Sequence, residues 1–274
     1  MNTNSSNNSL KVGFLGFGKM GQAIATGLSK ANDYQISAFD IALNLSETSA
    51  QLPIHYVKSI SELESWSDLI LLCMKPQDIE SAIQQLTGNK KYLSIAAGVS
   101  TTNIALMFNQ NKPKPPIARS MPNLGATIGQ STTAVYCEDN QLLTTSLHLF
   151  QNIGFAFSVS KESLMHSVTG LSGSGPAYVF LFIQSLAEAG VREGLSYDQS
   201  LQMAINTVSA SAKLLSESKE HPAELISKVC SPGGTTIEGM ANLEKNGFRN
   251  SIFEAVHSAT QRSKELSIEN HTKQ

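Results

Sequence analysis

Residues 12–21 read Val-Gly-Phe-Leu-Gly-Phe-Gly-Lys-Met-Gly, a short apolar run that leads into the pattern Gly-x-Gly-x-x-Gly. The pattern follows a predicted strand and opens an amphipathic segment, which is the context that this fingerprint requires. Its glycines allow a tight turn, close approach of a pyrophosphate and close helix packing, so the stretch predicts a dinucleotide site. The alternative is a glycine-rich turn that binds no ligand. The predicted cofactor residues of this loop are Gly16, Phe17, Gly18, Lys19, Met20 and Gly21.

The alternation of strand and helix continues through the first half of the chain. Short apolar runs of this kind are typical of strands buried on both faces. Predicted strands lie at 12–15, 35–39, 69–74, 93–97, 117–119, 132–136 and 155–159, and predicted helices at 20–28 and 77–86. Strand and helix in this order indicate βαβ units. We therefore predict an α/β Rossmann domain with a doubly wound parallel sheet.

The second part of the sequence has a helical pattern. Predicted helices lie at 177–189, 200–215, 222–229, 236–243 and 252–266. The first of these is apolar almost all round, and a helix of that kind must be buried on every side. A second copy of the chain is the expected cover, so we predict an obligate homodimer. The predicted organisation is a disordered tail at 1–9, a dinucleotide-binding domain at 10–160 and an all-helical dimerisation and substrate-binding domain at 161–274.

Composition excludes several classes of protein. The chain has 274 residues, 41% of them hydrophobic and 15% charged, which is ample material for a buried core. Its net charge of −2 and the lack of a long Lys/Arg run argue against nucleic-acid and polybasic membrane partners. No run approaches the roughly 18 apolar residues of a membrane span. The three cysteines match no zinc or redox spacing, so we predict reduced thiols, no metal site and a cytoplasmic location.

Further cofactor contacts are predicted after the strands. Asp40 ends the second strand, where an acid accepts hydrogen bonds from the adenosine ribose and repels a 2′-phosphate. Because no Arg or Lys follows at 41–48, the sequence favours NADH over NADPH. A strand-end Asp that only caps a turn is the alternative.

The carboxyl ends of the strands 69–74 and 93–97 border the expected ligand crevice. We expect Lys75 to reach ribose hydroxyls, with an exposed loop lysine as the alternative, and the small residues at 96–98 to leave space for a nicotinamide ring. The predicted contacts are Met74, Lys75, Pro76, Ala96, Ala97 and Gly98.

Two glycine-rich loops lie in the helical half, at 170–176 and 231–236. Glycines and hydroxyl residues at a helix start form an anion site that suits a substrate carboxylate. Tight helix packing is the alternative for the first loop, and an ordinary turn between helices is the alternative for the second.

Several long motifs together resemble one enzyme family. They are GLSGSGPAYVF at 170–180, HPAEL at 221–225, SPGGTT at 231–236 and LEKNGFR at 243–249. They are similar to the pyrroline-5-carboxylate reductases, and the resemblance extends from about Lys11 to Leu266. It implies reduction of 1-pyrroline-5-carboxylate to L-proline by NADPH or NADH, the last step of proline biosynthesis. It also implies a Rossmann domain, a helical dimerisation domain and a homodimer, and leaves open whether dimers assemble further.

The resemblance also assigns roles to residues. It implies that backbone N–H groups around Gly234, Thr235 and Thr236 hold the substrate carboxylate, and that Thr236 hydrogen-bonds the ring nitrogen. A threonine hydroxyl has no useful pKa near neutrality, so Thr236 is expected to be a donor and proton relay. The other positions implied to bind substrate are Ser231, Gly233 and Glu162, and those implied to contact the cofactor are Asn123 and Lys228.

The chain departs from the family pattern in one loop. Leu124-Gly125 follow Asn123 where the family usually has Thr-Pro, which leaves the contacts of that loop open.

Two other functions are alternatives to the reductase. A β-hydroxyacid dehydrogenase is one, but that family relies on a lysine in its long helix and 177–190 contains none. A non-catalytic nucleotide-binding sensor is the other, yet the loop 231–236 is intact. Cys230 is either a packed small residue or a redox-sensitive thiol.

Overall fold

The computed structural model describes residues 9–42, 53–108 and 114–272. The predicted disordered tail therefore lies outside the described residues, apart from Ser9. The strands are β1 (Leu10–Leu15), β2 (Tyr34–Phe39), β3 (Ile54–Tyr56), β4 (Leu69–Leu72), β5 (Lys91–Ser94), β6 (Ile117–Met121), β7 (Ser131–Tyr136) and β8 (Gly154–Ser158).

The strands form one sheet in the order β3-β2-β1-β4-β5-β6-β7-β8. Strands β1 to β6 are parallel, β7 is antiparallel to β6, and β8 is parallel to β7. The chain leaves β1 in one direction for β2 and β3 and in the other for β4, so the switch point of the fold lies between β1 and β4. Ligands of open α/β sheets bind outside the carboxyl ends of the strands at such a point. The predicted α/β fold class is confirmed.

Helices flank the strands and make up most of the described chain after Ser174. They are α1 (Lys19–Leu28), α2 (Ile60–Trp66), α3 (Ile79–Ile83), α4 (Thr101–Met107), α5 (Asn140–Gln151), α6 (Leu164–Val168), α7 (Gly175–Arg192), α8 (Tyr197–Ser218), α9 (Pro222–Val229), α10 (Thr235–Lys245) and α11 (Phe248–Thr272). Short 3₁₀ turns at Pro76–Asp78 and Leu124–Ile128 and a π-helical turn at Thr169–Gly173 complete the order.

A separate apolar core lies on each face of the sheet. Phe14 contributes to one core and its neighbour Leu15 to the other, because successive side chains of a strand point to opposite faces. The four residues of β4 are all buried, so this central strand is apolar on both faces. Two predicted strands extend too far: 69–74 ends at Leu72, and 93–97 ends at Ser94. The residues beyond those ends lie in loops at the carboxyl edge of the sheet.

The contacts divide the chain into two compact units, one comprising residues up to Gly173 with those from Ser258 onward, the other Ser174–His257. The predicted domain boundary at residue 160 stays a prediction. In the second unit, which the structure describes throughout, the buried residues are Ala187, Ser200 and Ala204. In a single chain the helix predicted at 177–189 is only partly buried, and its predicted burial against a second copy of the chain stays a prediction. Its apolar stripes are left uncovered, and Phe180 is 59% exposed.

Candidate active site

The turn between β1 and α1 requires glycine at its first fingerprint position and is closely packed at its third. Gly16 has φ +88°, and a Cβ there would lie 2.9 Å from the backbone of both Cys73 and Met74. A Cβ at Gly21 would lie 3.1 Å from the carbonyl oxygen of Gly16. These close approaches place α1 tightly against the strands, as the fingerprint predicts.

Gly18, the second fingerprint glycine, has a different surrounding. It has an ordinary φ of −71° and is the N-cap of α1, and a Cβ there would meet no described atom within 4 Å. Because Gly18 has no side chain, it cannot accept a hydrogen bond from the first N–H groups of the helix, and these groups stay available to a ligand. A helix N-terminus of this kind attracts anions through its N–H groups and its dipole. The open space beside it fits the pyrophosphate of a dinucleotide.

Asp40 accepts hydrogen bonds from two backbone N–H groups, one in the glycine turn and one in the turn that follows β2. Its Oδ2 accepts a hydrogen bond of 2.6 Å from the N–H of Phe17, and Oδ1 accepts one of 2.8 Å from the N–H of Ala42. The capping role that the sequence left as the alternative is therefore present. A carboxylate has further lone pairs, so the ribose contact stays a prediction. Most of the segment 41–48, on which the preference for NADH rests, lies outside the described residues.

The remaining predicted cofactor contacts border the same edge of the sheet. Lys75 is exposed, lies three residues after the end of β4 and precedes the 3₁₀ turn that begins at Pro76. Ala97 is exposed between buried Ala96 and Gly98, and Gly98 has φ +74°. The loop after β5 thus turns sharply and presents a single methyl group outward. Its role toward a nicotinamide ring stays a prediction, as do those of Met74, Lys75 and Pro76.

Asn123 makes its side-chain contacts with other loops of the protein. Its Oδ1 accepts hydrogen bonds from the N–H groups of Gly125 and Thr132, and its Nδ2 donates to the carbonyl oxygen of Ser172 at 3.2 Å. The side chain therefore fixes the turn at Leu124–Ile128 and holds the π-helical turn. Gly125 is required there because a Cβ would lie 2.3 Å from the carbonyl oxygen of Gln130. The predicted cofactor contact of Asn123 stays a prediction.

The loop 170–176 combines a π-helical turn with the start of α7. A Cβ at Gly173 would approach the Met121 methyl at 3.0 Å, whereas one at Gly175 would meet no described atom within 4 Å. Close packing, the alternative reading of this loop, therefore holds for Gly173. Single π-helical turns are frequent at functional sites.

The loop 231–236 lies between α9 and α10 in the second unit. Gly233 has φ +68°, which favours glycine, and a Cβ at Gly234 would lie 2.3 Å from the Ser231 hydroxyl oxygen, which would then have to rotate away. Gly234 is the N-cap of α10, and Thr235 and Thr236 form its first turn. The loop therefore presents backbone N–H groups and two hydroxyls at a helix N-terminus, which suits a carboxylate. The substrate roles of this loop stay predictions.

Thr236 also lines a cavity of about 450 Å³ between α8, α9 and α10. The cavity wall is mainly apolar, with Leu214, Leu225, Ile226, Val229 and Met240 among its residues. Cys230 lines the same cavity and is half-buried, which leaves both readings of that thiol open. Lys228, a predicted cofactor contact, forms an ion pair with Glu220.

Glu162 contacts other protein groups, and its predicted role in substrate binding stays a prediction. It forms an ion pair with Arg119, whose side chain is 3% exposed, and it also accepts hydrogen bonds from Thr101. No role was predicted for Arg119 or Thr101. The available signal was an arginine inside a predicted strand, because a buried arginine needs an acidic partner. Burial lowers the pKa of the Arg119 guanidinium, and the Glu162 carboxylate opposes that shift.

His166 of α6 makes the stability of this region depend on pH. Burial and the positive charges of Arg119 and Lys264 lower the pKa of His166, while the Glu162 carboxylate opposes the shift. The folded protein then binds fewer protons than the unfolded chain, so the free energy of unfolding falls as pH drops below the usual histidine value of 6.5. We expect His166→Gln to flatten this decline in urea titrations from pH 7.5 to 5. Equal slopes for variant and parent would contradict the assignment.

Comparison with known proteins identifies the family. The chain is 38% identical over 264 residues to the pyrroline-5-carboxylate reductase of Aquifex aeolicus, which covers 94% of this chain and 97% of that protein. The chain belongs to the pyrroline-5-carboxylate reductase family. The family model described as pyrroline-5-carboxylate reductase dimerisation matches residues 162–266. A model described as NADP oxidoreductase coenzyme F420-dependent matches 11–103.

Solved structures of the same family are similar along the whole chain. The 1-pyrroline-5-carboxylate reductase of Streptococcus pyogenes has a TM-score of 0.84 and 34% identity, covering 95% of this chain and all of that one. The Plasmodium falciparum pyrroline carboxylate reductase, solved with NADP bound, has a TM-score of 0.82 and 28% identity, covering 94% of this chain and 98% of that one.

None of the described helices is long and apolar enough to cross a membrane. Within the described ranges, no group of three or more His, Cys, Asp or Glu side chains is placed to hold a metal ion.

Proposed function

We propose that this chain reduces 1-pyrroline-5-carboxylate to L-proline with NADPH or NADH, in the last step of proline biosynthesis. The observation that carries the proposal is similarity to reductases of this substrate over 94% of the chain. The two glycine-rich helix starts support it, because one suits a dinucleotide pyrophosphate and the other a substrate carboxylate.

The residues of the chain then bind and orient the reactants. The bound nicotinamide supplies a hydride to the carbon of the C=N bond. N–H groups of the first turn of α1 hold the pyrophosphate, and those around Gly234, Thr235 and Thr236 hold the substrate carboxylate. The Thr236 hydroxyl donates a hydrogen bond to the imine nitrogen and relays to it, from solvent, the proton that the product amine carries. A protonated cyclic imine is already a good electrophile, so orientation supplies much of the catalysis.

The second unit supports assembly as a homodimer. It spans Ser174–His257 and buries three of its residues, so its own core is too small to be stable. Apolar side chains of α7, such as Phe180 and Leu181 at 59% and 65% exposure, would be covered by a second copy. Assembly of dimers into larger oligomers is compatible with this arrangement. Three free thiols fit a cytoplasmic location.

Cofactor preference is the finer part of the proposal. Asp40, placed at the end of β2, favours NADH because a carboxylate repels a 2′-phosphate. We therefore propose use of both cofactors, with the larger kcat/KM for NADH. An Asp40→Ser variant removes the negative charge while keeping a hydroxyl acceptor. Its NADPH-to-NADH ratio of kcat/KM should rise above that of the parent.

The proposed function is tested by steady-state oxidation of NADH and NADPH by the purified protein with pyrroline-5-carboxylate. The expected result is substrate-dependent oxidation and stoichiometric formation of L-proline, identified by chromatography. A folded dimer that binds either cofactor yet forms no proline would contradict the proposal. That outcome would favour another imine substrate or a non-catalytic nucleotide sensor.

A further inference from the structure

The carboxylate of Glu162 receives three hydrogen bonds, which we call the Glu162 clasp. Its Oε1 accepts from the backbone N–H of Thr101 at 2.8 Å and from Nη1 of Arg119 at 3.2 Å. Its Oε2 accepts from the Thr101 hydroxyl at 2.8 Å. Glu162 lies between β8 and α6, whereas Thr101 begins α4 and Arg119 lies in the middle of β6. The clasp therefore joins three segments that are distant in sequence.

The clasp lies at the end of the loop that follows β5. This loop runs through Ala96, Ala97 and Gly98 to Ser100, the N-cap of α4, and Thr101 is the first residue of that helix. The Ser100 hydroxyl accepts from the N–H of Asn103, so Glu162 satisfies a different N–H group of the same helix start. A carboxylate in this position is also favoured by the helix dipole. Loss of Glu162 would release the end of the loop while leaving the serine cap in place.

Arg119 anchors the clasp to the sheet. It pairs in register with Ser94, the last residue of β5, from which the loop departs. Its Nη2 is buried and has no hydrogen-bond partner among the described residues. A buried ion pair with an unsatisfied donor is a poor source of stability compared with apolar packing. The ion pair between Arg119 and Glu162 therefore contributes little to stability. Its position at the end of the loop after β5 is better explained by a role in fixing the conformation of that loop.

We propose that Glu162 is a positioning residue for imine reduction: through Thr101 it fixes the loop 95–100 against which the nicotinamide end of the cofactor lies. The inference rests on the proposed function and assigns Glu162 a role other than substrate contact. The pyrophosphate site at Gly16–Gly21 is on a different loop. Loss of the clasp should therefore lower kcat much more than it weakens cofactor binding. Small displacements of reacting groups cost about 100-fold in rate.

The test compares Glu162→Ala with Glu162→Gln. The glutamine amide oxygen can accept from Thr101 N–H, and its NH₂ can donate to the Thr101 hydroxyl, so this variant keeps most of the clasp without the charge. We expect kcat to fall by about 10- to 100-fold in Glu162→Ala and by about 3-fold in Glu162→Gln. The NADPH dissociation constant, from fluorescence titration, should stay within about 3-fold of the parent value in both. Lys161→Ala, an exposed neighbour outside the clasp, is the matched control and should match the parent.

A second variant addresses the buried charge that Glu162→Ala leaves on Arg119. Thr101→Val removes one hydrogen bond of the clasp and leaves the ion pair between Arg119 and Glu162 intact. It should therefore fold, and it should lower kcat by a smaller factor than Glu162→Ala does. Combined with Glu162→Ala it should cause no further loss, because both act through one contact. If Glu162→Ala fails to fold, Thr101→Val alone decides: a parental kcat overturns the inference.

Three outcomes would overturn this inference, and the measurements distinguish them. Equal defects in Glu162→Gln and Glu162→Ala, with a raised KM for pyrroline-5-carboxylate, would show that the carboxylate acts on the substrate by its charge and would overturn the inference. A fully active Glu162→Ala protein would also overturn it while leaving the proposed function intact. A parent protein that binds NADPH and forms no proline would overturn the proposed function, and the inference with it.

Discussion

Gly18→Ala is expected to fold like the parent and to lose most of its affinity for the cofactor. Alanine adopts the φ of −71° at this position without strain, and its Cβ would meet no described atom within 4 Å. The free energy of unfolding should therefore change by less than about 1 kcal/mol, the usual range for such a cap exchange. The added methyl group would instead occupy the space proposed for the pyrophosphate.

The size of the binding defect follows from the cost of overpacking. Inserting a methyl into a filled site costs about 1–3 kcal/mol, which corresponds to a rise of about 5- to 150-fold in the dissociation constants for NADH and NADPH. Fluorescence titration measures these constants, and urea unfolding measures stability. Parental affinity in the Gly18→Ala variant would contradict the assignment of this turn as the pyrophosphate site.

Gly16→Ala provides the matched comparison two residues earlier. Its Cβ would collide with backbone atoms of Cys73 and Met74 at 2.9 Å, and the φ of +88° is strained for alanine. Strain of this kind costs about 1–3 kcal/mol before the collision is counted. We expect this variant to lose stability and binding together, so the pair distinguishes a structural glycine from a ligand-facing one.

Thr236→Ala is expected to lower kcat by about 10- to 100-fold, as does the loss of one positioned polar contact to a reacting group. Thr236 lies in the first turn of α10 and lines the apolar cavity. The KM for pyrroline-5-carboxylate should change less, because backbone N–H groups that the substitution leaves in place hold the carboxylate. Alanine is a good helix former, so the free energy of unfolding should not fall by more than about 0.5 kcal/mol.

Two further substitutions at Thr236 distinguish the effect of the hydroxyl group from the effect of side-chain shape. Thr236→Ser keeps the hydroxyl and should retain more than a fifth of the parental kcat, by an order-of-magnitude estimate for a preserved contact. Thr236→Val keeps the shape and removes the donor, so it should resemble Thr236→Ala. A Thr236→Val protein with the parental kcat would refute the proposed role of the hydroxyl.

The sheet could be predicted because its central strands carry strong local signals. The four residues of β4 are all apolar, and the glycine loop after β1 fixes the first βα turn. Shorter or weaker elements were missed: β3 has three residues, α2 and α4 have seven each, and α5 was not predicted. Helix α5 buries Ser146 together with Leu142 and Leu149, so its inner face is not purely apolar. The local signal that these three helices do carry is a side-chain N-cap, at Ser59, Ser100 and Asp139.

The positions of the candidate site residues were predictable, whereas their hydrogen-bond partners were not. Asp40, Asn123 and Glu162 each follow a strand within four residues, and each accepts hydrogen bonds from backbone N–H groups. A sequence shows that an acid follows a strand, but the N–H group that reaches it can be far away along the chain. The donor Thr101 lies 61 residues from Glu162. Three-dimensional structure is needed to identify such a pair.

Transfer of deuterium tests the central claim most directly. The protein is incubated with pyrroline-5-carboxylate and NADH or NADPH carrying deuterium at the transferable C4 position, and the product is analysed by mass spectrometry and NMR. The account predicts L-proline with one deuterium, located at the carbon that was double-bonded to nitrogen. Unlabelled proline, or no proline from a folded protein that binds the cofactor, would contradict it.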